Sequence, residues 1–253
     1  IDSTGEIQVK LYKINFNDTI AERILKDTLL LKDDGIFATD SNIIYYFNTP
    51  EGDNFLSKDR TYSLVIKNVK TGNFVSASTD IIKGFNFSAG IPSSNKIMFY
   101  SDALGYRFPR FEWSSINYPE AELFQFNLRF HYKENEIAKE LSWTQTALGR
   151  NDNILILSGE DFFSFLKNNL VKGDFVREFS SIDIEMTLGS QNLKTYMAVN
   201  EPITGIVQER PQFTNINNGI GLFSSRYSYE SKGLDLHSGS EEYIIDELDL
   251  NFQ

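Results

Sequence analysis

Alternation of apolar and polar residues with a period of two is the feature that most constrains the fold. Over residues 123–132, apolar side chains at Phe124, Phe126, Leu128, Phe130 and Tyr132 alternate with polar ones. Neighbouring side chains of a β-strand point to opposite faces, so this stretch predicts a long strand with one buried, aromatic face. Residues 181–188 repeat the pattern. The sequence therefore predicts an all-β protein.

Further strands are predicted where alternating or β-branched stretches lie between turn residues. They cover 6–14, 24–31, 43–47, 61–67, 73–82, 96–101, 110–114, 137–144, 153–158 and 192–199. Residues 241–252 also predict a terminal strand, with Ile244, Leu248 and Leu250 in the core. One helix is predicted near 160–171, because Ser158 offers an N-cap and Phe162, Phe163, Leu166 and Leu170 recur at helical spacing.

A cluster of Gly, Pro and Ser residues at 84–95 predicts a domain boundary. Residues 1–84 are expected to form an immunoglobulin-like β-sandwich, with room for one further strand ahead of Ile1. Residues 85–253 are expected to form a larger β-sandwich with the helix inserted. The chain does not begin with Met, which indicates a trimmed or processed product.

Composition argues against several classes of function. The net charge is −11, and residues 230–253 contain seven acidic residues and one basic residue, so nucleic acid is not an expected partner. The absence of cysteine excludes disulfides, thiolate metal sites and cysteine nucleophiles. No apolar run approaches the roughly 20 residues that a membrane-spanning helix needs.

Catalytic motifs are missing from the sequence, so it predicts a protein that is not an enzyme and that holds no cofactor or metal. His131 and His237 stand alone, without the close spacing of a metal site, and no Gly-x-Ser-x-Gly turn occurs. His131 is interpreted as a surface or cross-strand residue and His237 as a solvated loop residue. Loop sites for Ca²⁺ at Asp33, Asp34, Asp53 and 151–153 are a weaker interpretation of ordinary turn residues.

The passage 202–227 is long, poor in strand patterning and rich in Asn, Gly and aromatic residues. A compact domain seldom contains so long a loop without a reason, so this one is expected to cover a sheet edge or to form part of a binding surface. Arg210, Phe213, Arg226 and Tyr227 are of the residue types that anchor interfaces. The sequence 215–221 is interpreted as a structural turn.

Several stretches resemble a family of secreted lipoproteins of unknown function from Bacteroidetes. They are DDGIFATDSNIIYYF (33–47), YSLVIKNVKTGNFVSAST (62–79), LSGEDFFSFL (157–166) and GIVQERPQFTNINNGIGLFSSR (205–226). The resemblance implies two β-sandwich units behind a lipidated cysteine, although that cysteine is not in this sequence. It also implies an extracytoplasmic location at the outer membrane or cell surface. The shared motifs bring no catalytic residues.

Three functional hypotheses remain. The first is a non-catalytic surface module that binds a protein partner or takes part in adhesion, which predicts an apolar or aromatic patch including part of 202–227. The second is a carbohydrate-binding protein for glycan capture, which predicts exposed coplanar aromatic rings, with Trp113 next to Glu112, Trp143 near Glu140, or some of the 12 tyrosines as candidates. The third is a hydrolase with two carboxylates, which predicts an acid with a raised pKa in a concave site.

Overall fold

A computed structural model describes residues 5–30, 42–82, 84–145, 148–149, 151–200 and 212–253. Strands predominate in these residues, so the prediction of an all-β protein is confirmed. The elements are, in chain order, β1 (Ile7–Asn15), β2 (Asp18–Ile24), β3 (Lys26–Leu30), β4 (Asn42–Tyr46), β5 (Thr61–Asn68), β6 (Phe74–Asp80), β7 (Lys96–Ile97), β8 (Tyr100–Ser101), β9 (Gly105–Tyr106), β10 (Arg110–Glu112), the 3₁₀-helix η1 (Ser115–Asn117), β11 (Ala121–Glu134), β12 (Ile137–Thr144), β13 (Leu148–Gly149), β14 (Ile154–Ile156), α1 (Gly159–Asn169), β15 (Arg177–Ser190), α2 (Gln191–Asn200), β16 (Arg226–Leu236) and α3 (Ser238–Asp246).

The chain divides into two compact units. Unit 1 comprises Ile1–Lys83 and Gly189–Arg226, and unit 2 comprises Gly84–Leu188 and Tyr227–Gln253. Residues 189–226 thus group with the first unit, although the sequence analysis assigned all of 85–253 to a single domain. The chain leaves unit 2 at the end of β15 and returns to it in β16, the neighbouring strand of the same sheet.

Unit 1 contains a four-stranded sheet in the order β2-β1-β5-β6, and its neighbouring strands are antiparallel. One face of the sheet supplies a small core in which Leu11 and Tyr62 pack with Phe55. The Tyr62 hydroxyl donates a 2.6 Å hydrogen bond to the Phe55 carbonyl, which fixes the loop over this face. Strands β3 and β4 form a separate two-stranded ribbon.

Unit 2 is built on a larger sheet in the order β12-β11-β15-β16-β7, with β13 beside β11. The predicted inward faces of β11 and β15 are confirmed, because Phe126, Phe130, Ile184 and Met186 have no exposed surface. Helix α1 packs against aromatic residues of this unit, where the Phe162 ring stacks on Phe99 with 4.0 Å between centroids.

Helix α1 confirms the helix predicted near 160–171. The Ser158 hydroxyl oxygen accepts a hydrogen bond from the Asp161 backbone N–H at 3.3 Å, as an N-cap should. Phe162, Phe163 and Leu166 are buried, so the apolar face read from the sequence is the face that packs.

The strand predicted at 192–199 is wrong, because these residues form α2. Leu193, Tyr196 and Met197 have helical spacing. The Ser190 hydroxyl also lies 3.5 Å from the Leu193 backbone N–H at the start of the helix. The spacing and this contact at the first turn both favour a helix over a strand.

The terminal strand predicted at 241–252 is also wrong, because its first half lies in α3. His237 is the N-cap of this helix, and its Nδ1 atom accepts a hydrogen bond from the Gly239 N–H, so it is not a solvated loop residue. Ile244 lies within α3, whereas Leu248 follows Glu247, the residue that caps the end of the helix. Both are buried, as is Leu250, so the prediction that these three residues join the core is confirmed. None of the described helices has the length and apolar character to cross a membrane.

Candidate functional site

The two tryptophans proposed for ligand binding pack inside unit 2. Trp113 is 3 % exposed, and its ring stacks on Phe124 with 5.8 Å between centroids. Trp143 is half-buried, and its ring stacks on Phe165 of α1 at the same centroid distance. Trp113 therefore does not present the exposed ring that the carbohydrate-binding hypothesis predicts, whereas part of the Trp143 ring remains accessible.

Three of the four other proposed binding residues are described by the structure. Arg210 lies outside the described residues. Phe213 and Tyr227 are half-buried, and Arg226 is exposed.

Residues 212–225, the described part of the unusual loop, cover one edge of the unit 1 sheet. The backbones of Asn217 and Ser76 of β6 exchange two hydrogen bonds, at 2.7 and 3.2 Å. Farther along β6, the Ser225 hydroxyl donates a 2.5 Å hydrogen bond to the Asp80 carbonyl. The loop thus satisfies polar backbone groups that an edge strand would otherwise leave open.

The tip of this loop is held by its own side chains, which supports the interpretation of 215–221 as a structural turn. The Thr214 hydroxyl accepts hydrogen bonds from the Ile216 and Gly221 N–H groups and donates to the Gly221 carbonyl. The Asn215 amide bonds both backbone groups of Phe223, at 2.6 and 2.8 Å. Asn218 occupies the left-handed region, with φ of 59°.

An open groove of about 550 Å³ lies in unit 1 between this tip and the end of the sheet, and we call it the Asn218 groove. Its walls include apolar Ile7, Ile66, Phe74 and Val75, and the amides of Asn68 and Asn218. Phe74 is 53 % exposed and Ile7 is 36 % exposed. The described residues that line it carry no formal charge, so they can offer apolar contact and neutral hydrogen bonds.

The wall formed by Asn68 is fixed in position. The Asn68 side-chain oxygen accepts hydrogen bonds from the Lys70 and Thr71 N–H groups, both at 2.9 Å. Its backbone N–H donates to the Asn73 carbonyl. The turn between β5 and β6 therefore holds this wall of the Asn218 groove in one conformation.

Charged side chains cover the polar face of the unit 2 sheet, but they neutralise one another. Arg129 donates a 2.8 Å hydrogen bond to Glu230 and lies 4.0 Å from Glu185. The bond to Glu230 raises the pKa of Arg129, and bonds from Lys232 and Arg129 lower the pKa of Glu230. His131 lies between carboxylates, 3.1 Å from Asp183 and 3.7 Å from Glu140, which confirms its interpretation as a cross-strand residue.

Every described carboxyl group with a resolved pKa shift moves downward. Hydrogen bonds from the Phe55 N–H and from Arg23 lower the pKa of Asp53. Lys139 and then Arg177 lower the pKa of Glu134. A general acid of a glycosidase needs the opposite shift, so these carboxyl groups do not have the pKa that the third hypothesis requires.

The proposed calcium loops are engaged in other contacts where they are described. Asp33 and Asp34 lie outside the described residues. Asp53 pairs with Arg23 at 3.2 Å, and the Asn153 side chain accepts a 3.3 Å hydrogen bond from the Ser115 N–H. No group of three or more His, Asp or Glu residues in the described chain is arranged to hold a metal ion.

A cluster of half-buried tyrosines in unit 2 is the other aromatic feature of interest. The hydroxyl oxygens of Tyr106 and Tyr243 lie 2.7 Å apart, and the Tyr100 ring centroid lies 4.4 Å from that of Tyr243. The bond to Tyr106 raises the pKa of Tyr243 to about 12, with desolvation as the next cause. The rings meet at 39° to 73°, so they do not form one flat platform.

Comparisons with protein-family models, with curated proteins and with solved structures found no significant match to this chain.

Sequence reasoning missed most of the Asn218 groove. Ile7 and Phe74 each begin a strand, and Asn68 ends one. The register of β1, β5 and β6 brings these ends together, since Ile7 lies opposite Asn68. The groove therefore depends on which strands pair and in what register, and neither can be derived from a single sequence.

Proposed function

We propose that the protein is a non-catalytic module that binds a protein partner through unit 1. The observation that carries the proposal is the imbalance between buried and exposed apolar side chains there. Among the described residues, unit 1 buries six hydrophobic side chains, whereas thirteen large ones are exposed. The described part of unit 2 has the reverse balance, with twenty-nine hydrophobic side chains buried and nine large ones exposed. Large exposed apolar surfaces usually mark interaction sites.

The Asn218 groove is part of that surface. Phe74 and Ile7 line it. Val69, which follows the lining residue Asn68, is 53 % exposed, and Ile220, two residues after Asn218, is 85 % exposed. Aliphatic side chains of this kind match the apolar core of a protein interface better than the polar faces of a sugar. The amides of Asn68 and Asn218 would add hydrogen bonds to a polypeptide backbone.

We further propose that both units are variants of the β-sandwich, the first of them immunoglobulin-like, at the outer membrane or cell surface and anchored by lipid. Antiparallel strands in both units support the sandwich. The resemblance of four stretches to secreted lipoproteins supports the location and the anchor. A partner at the same surface would then meet the Asn218 groove.

Site-specific photo-crosslinking tests the proposed function. A photoreactive phenylalanine analogue at Phe74 should crosslink one protein of defined size in envelope extracts of the producing cells. The same analogue at Ile116, which is 84 % exposed in unit 2, is the matched control. Identical products from both positions, or no product from Phe74, would contradict the proposal.

A carbohydrate ligand is the second candidate, and the observation that favours it is the partial exposure of the tyrosine cluster, although its rings do not form one flat platform. Tyr100, Tyr106 and Tyr243 combine partly exposed rings with hydroxyl groups. A glycan array with the intact protein and with the Tyr100→Ala variant tests it. A signal that the variant loses would move the function to glycan capture.

A further inference from the structure

A second groove, in unit 2, combines basic and apolar side chains. This Arg107 groove has a volume of about 370 Å³ and is lined by Lys96, Arg107 and Arg110 together with apolar residues such as Ile91, Met98 and Phe108. None of the described residues that line it is acidic. In a chain of net charge −11, a groove with three cations calls for an explanation.

Two of the three cations are already neutralised. Lys96 pairs with Asp235 at 3.2 Å, and Arg110 pairs with Glu112 at 2.7 Å. Arg107 is half-buried and has no carboxylate within salt-bridge distance among the described residues. Its guanidinium is therefore the positive group left for an external anion.

The backbone around the Arg107 groove is fixed before any ligand arrives. The Arg107 N–H donates to the Phe99 carbonyl and its own carbonyl accepts from the Gly159 N–H, both at 2.9 Å. On another wall, Gly90 has φ of 115°, and a Cβ there would lie 2.5 Å from the Arg110 carbonyl oxygen. Close backbone packing of this kind leaves the Arg107 side chain as the part that adjusts to a ligand.

Apolar surface lies next to this cation. Phe108 is 61 % exposed, so its ring is accessible to a ligand. Ile91 and Met98 are half-buried in the same groove. A ligand could therefore place an apolar body on these side chains while its charge meets Arg107.

We propose that the Arg107 groove binds a small organic anion, with one carboxylate or phosphate on an apolar body. The planar guanidinium offers paired N–H donors that match either anionic group. The volume falls within the range of roughly 300–1,000 Å³ typical of small-molecule sites. This site does not depend on the Asn218 groove, so either proposal can fail alone.

Titration of the ¹⁵N-labelled full chain with three related probes tests the proposal. The probes are 2-naphthoate, 2-naphthyl phosphate and the neutral 2-naphthamide. We expect saturable 1:1 binding of at least one anion, with shifts in groove amides, and at least tenfold weaker binding of the amide, as loss of a charged hydrogen bond implies. The preferred anion distinguishes carboxylate from phosphate ligands.

Variants assign the binding to Arg107. Arg107→Gln should weaken binding of the preferred anion about tenfold or more, and Arg107→Lys should restore part of it because the charge returns. Arg60→Gln, at an arginine of unit 1, is the matched control and should change nothing. Spectra of amides far from the groove report whether each variant is folded.

Two outcomes would overturn the proposal. One is equal affinity for the neutral amide and both anions, which would make the site merely apolar. The other is full affinity in a folded Arg107→Gln variant, which would place the anion elsewhere.

Discussion

The guanidinium group of Arg177 donates two hydrogen bonds to one carboxylate oxygen of Glu134, at 3.0 and 2.7 Å. Arg177 is only 2 % exposed, so its charge depends on these partners. It also donates to the Leu250 and Val171 carbonyls, at 2.8 and 2.9 Å. One buried cation thus joins β11, the loop before β15 and the C-terminal segment.

Replacing Arg177 should strongly destabilise unit 2. Arg177→Met leaves Glu134 without its buried partner and removes the bonds to two carbonyls. Breaking a buried pair of this kind costs about 3–5 kcal/mol in the free energy of unfolding. Urea denaturation followed by circular dichroism measures the loss.

The matched control is Lys172→Met, because Lys172 pairs with Asp249 of the same C-terminal segment at an exposed position. Exposed pairs contribute little, so this variant should unfold at nearly the urea concentration of the original protein. Equal effects of the two substitutions would show that Arg177 is not the main tether.

Glu134 should make stability depend on pH in acid. Lys139 and Arg177 hold its pKa below the ordinary value, so the folded state binds its proton less readily than the unfolded state. Its contribution is complete above the ordinary pKa and is lost as pH falls through the lowered one. The stability difference between the original protein and Glu134→Gln should therefore shrink with acid, as melting temperatures at several pH values would show. A constant difference would contradict this assignment.

Period-two patterns predicted β11 and β15 well, because a buried sheet face imposes its alternation directly on the residues of a strand. The same method failed at 241–252, where Ile244 and Leu248 have helical spacing but Leu250 and Phe252 alternate. Contacts with residues distant in sequence hold this segment in place as a helix. The hydroxyl of Ser240, in α3, accepts hydrogen bonds from the Phe99 and Tyr100 N–H groups.

The candidate sites were harder to predict than the strands. Trp113 and Trp143 have acidic neighbours in the sequence, but the packing of Phe124 and Phe165 on them depends on the tertiary fold. Arg107 and Arg110 carry a weak local signal, two cations beside Phe108 in an acidic chain. Only the structure shows that Arg110 forms an ion pair with Glu112, which leaves Arg107 as the cation available to a ligand.

Tyr243 should ionise at unusually high pH. The hydrogen bond with Tyr106 raises its pKa to about 12, so Tyr106→Phe should bring the pKa back toward the ordinary 10. Absorbance of phenolate near 295 nm, compared between the two proteins, measures the change. Because the folded pKa is the higher one, this group's contribution to stability is complete below pH 10 and is lost as pH rises through about 12.

An unchanged titration of Tyr243 in the Tyr106→Phe variant would mean that burial, and not the hydrogen bond, holds the proton. Tyr100→Phe is the control, because its ring contacts Tyr243 while the 2.7 Å bond to Tyr106 remains. This variant should keep most of the raised pKa.

Trp113 should behave as a core residue and not as a ligand contact. The protein has two tryptophans, so Trp143→Phe leaves Trp113 as the sole emitter. Since Trp113 is 3 % exposed, its fluorescence should be blue-shifted and poorly quenched by acrylamide. Trp113→Phe should leave a more red-shifted, more accessible Trp143, which is half-buried.

Truncation of the Trp113 side chain tests its burial through the free energy of unfolding. Trp113→Ala removes a ring stacked on Phe124 and should cost about 3–5 kcal/mol in the free energy of unfolding, measured by urea denaturation. A small loss combined with strong acrylamide quenching would place Trp113 at the surface. The ring would then be available to a glycan, and the second candidate function would regain the support it had from the sequence.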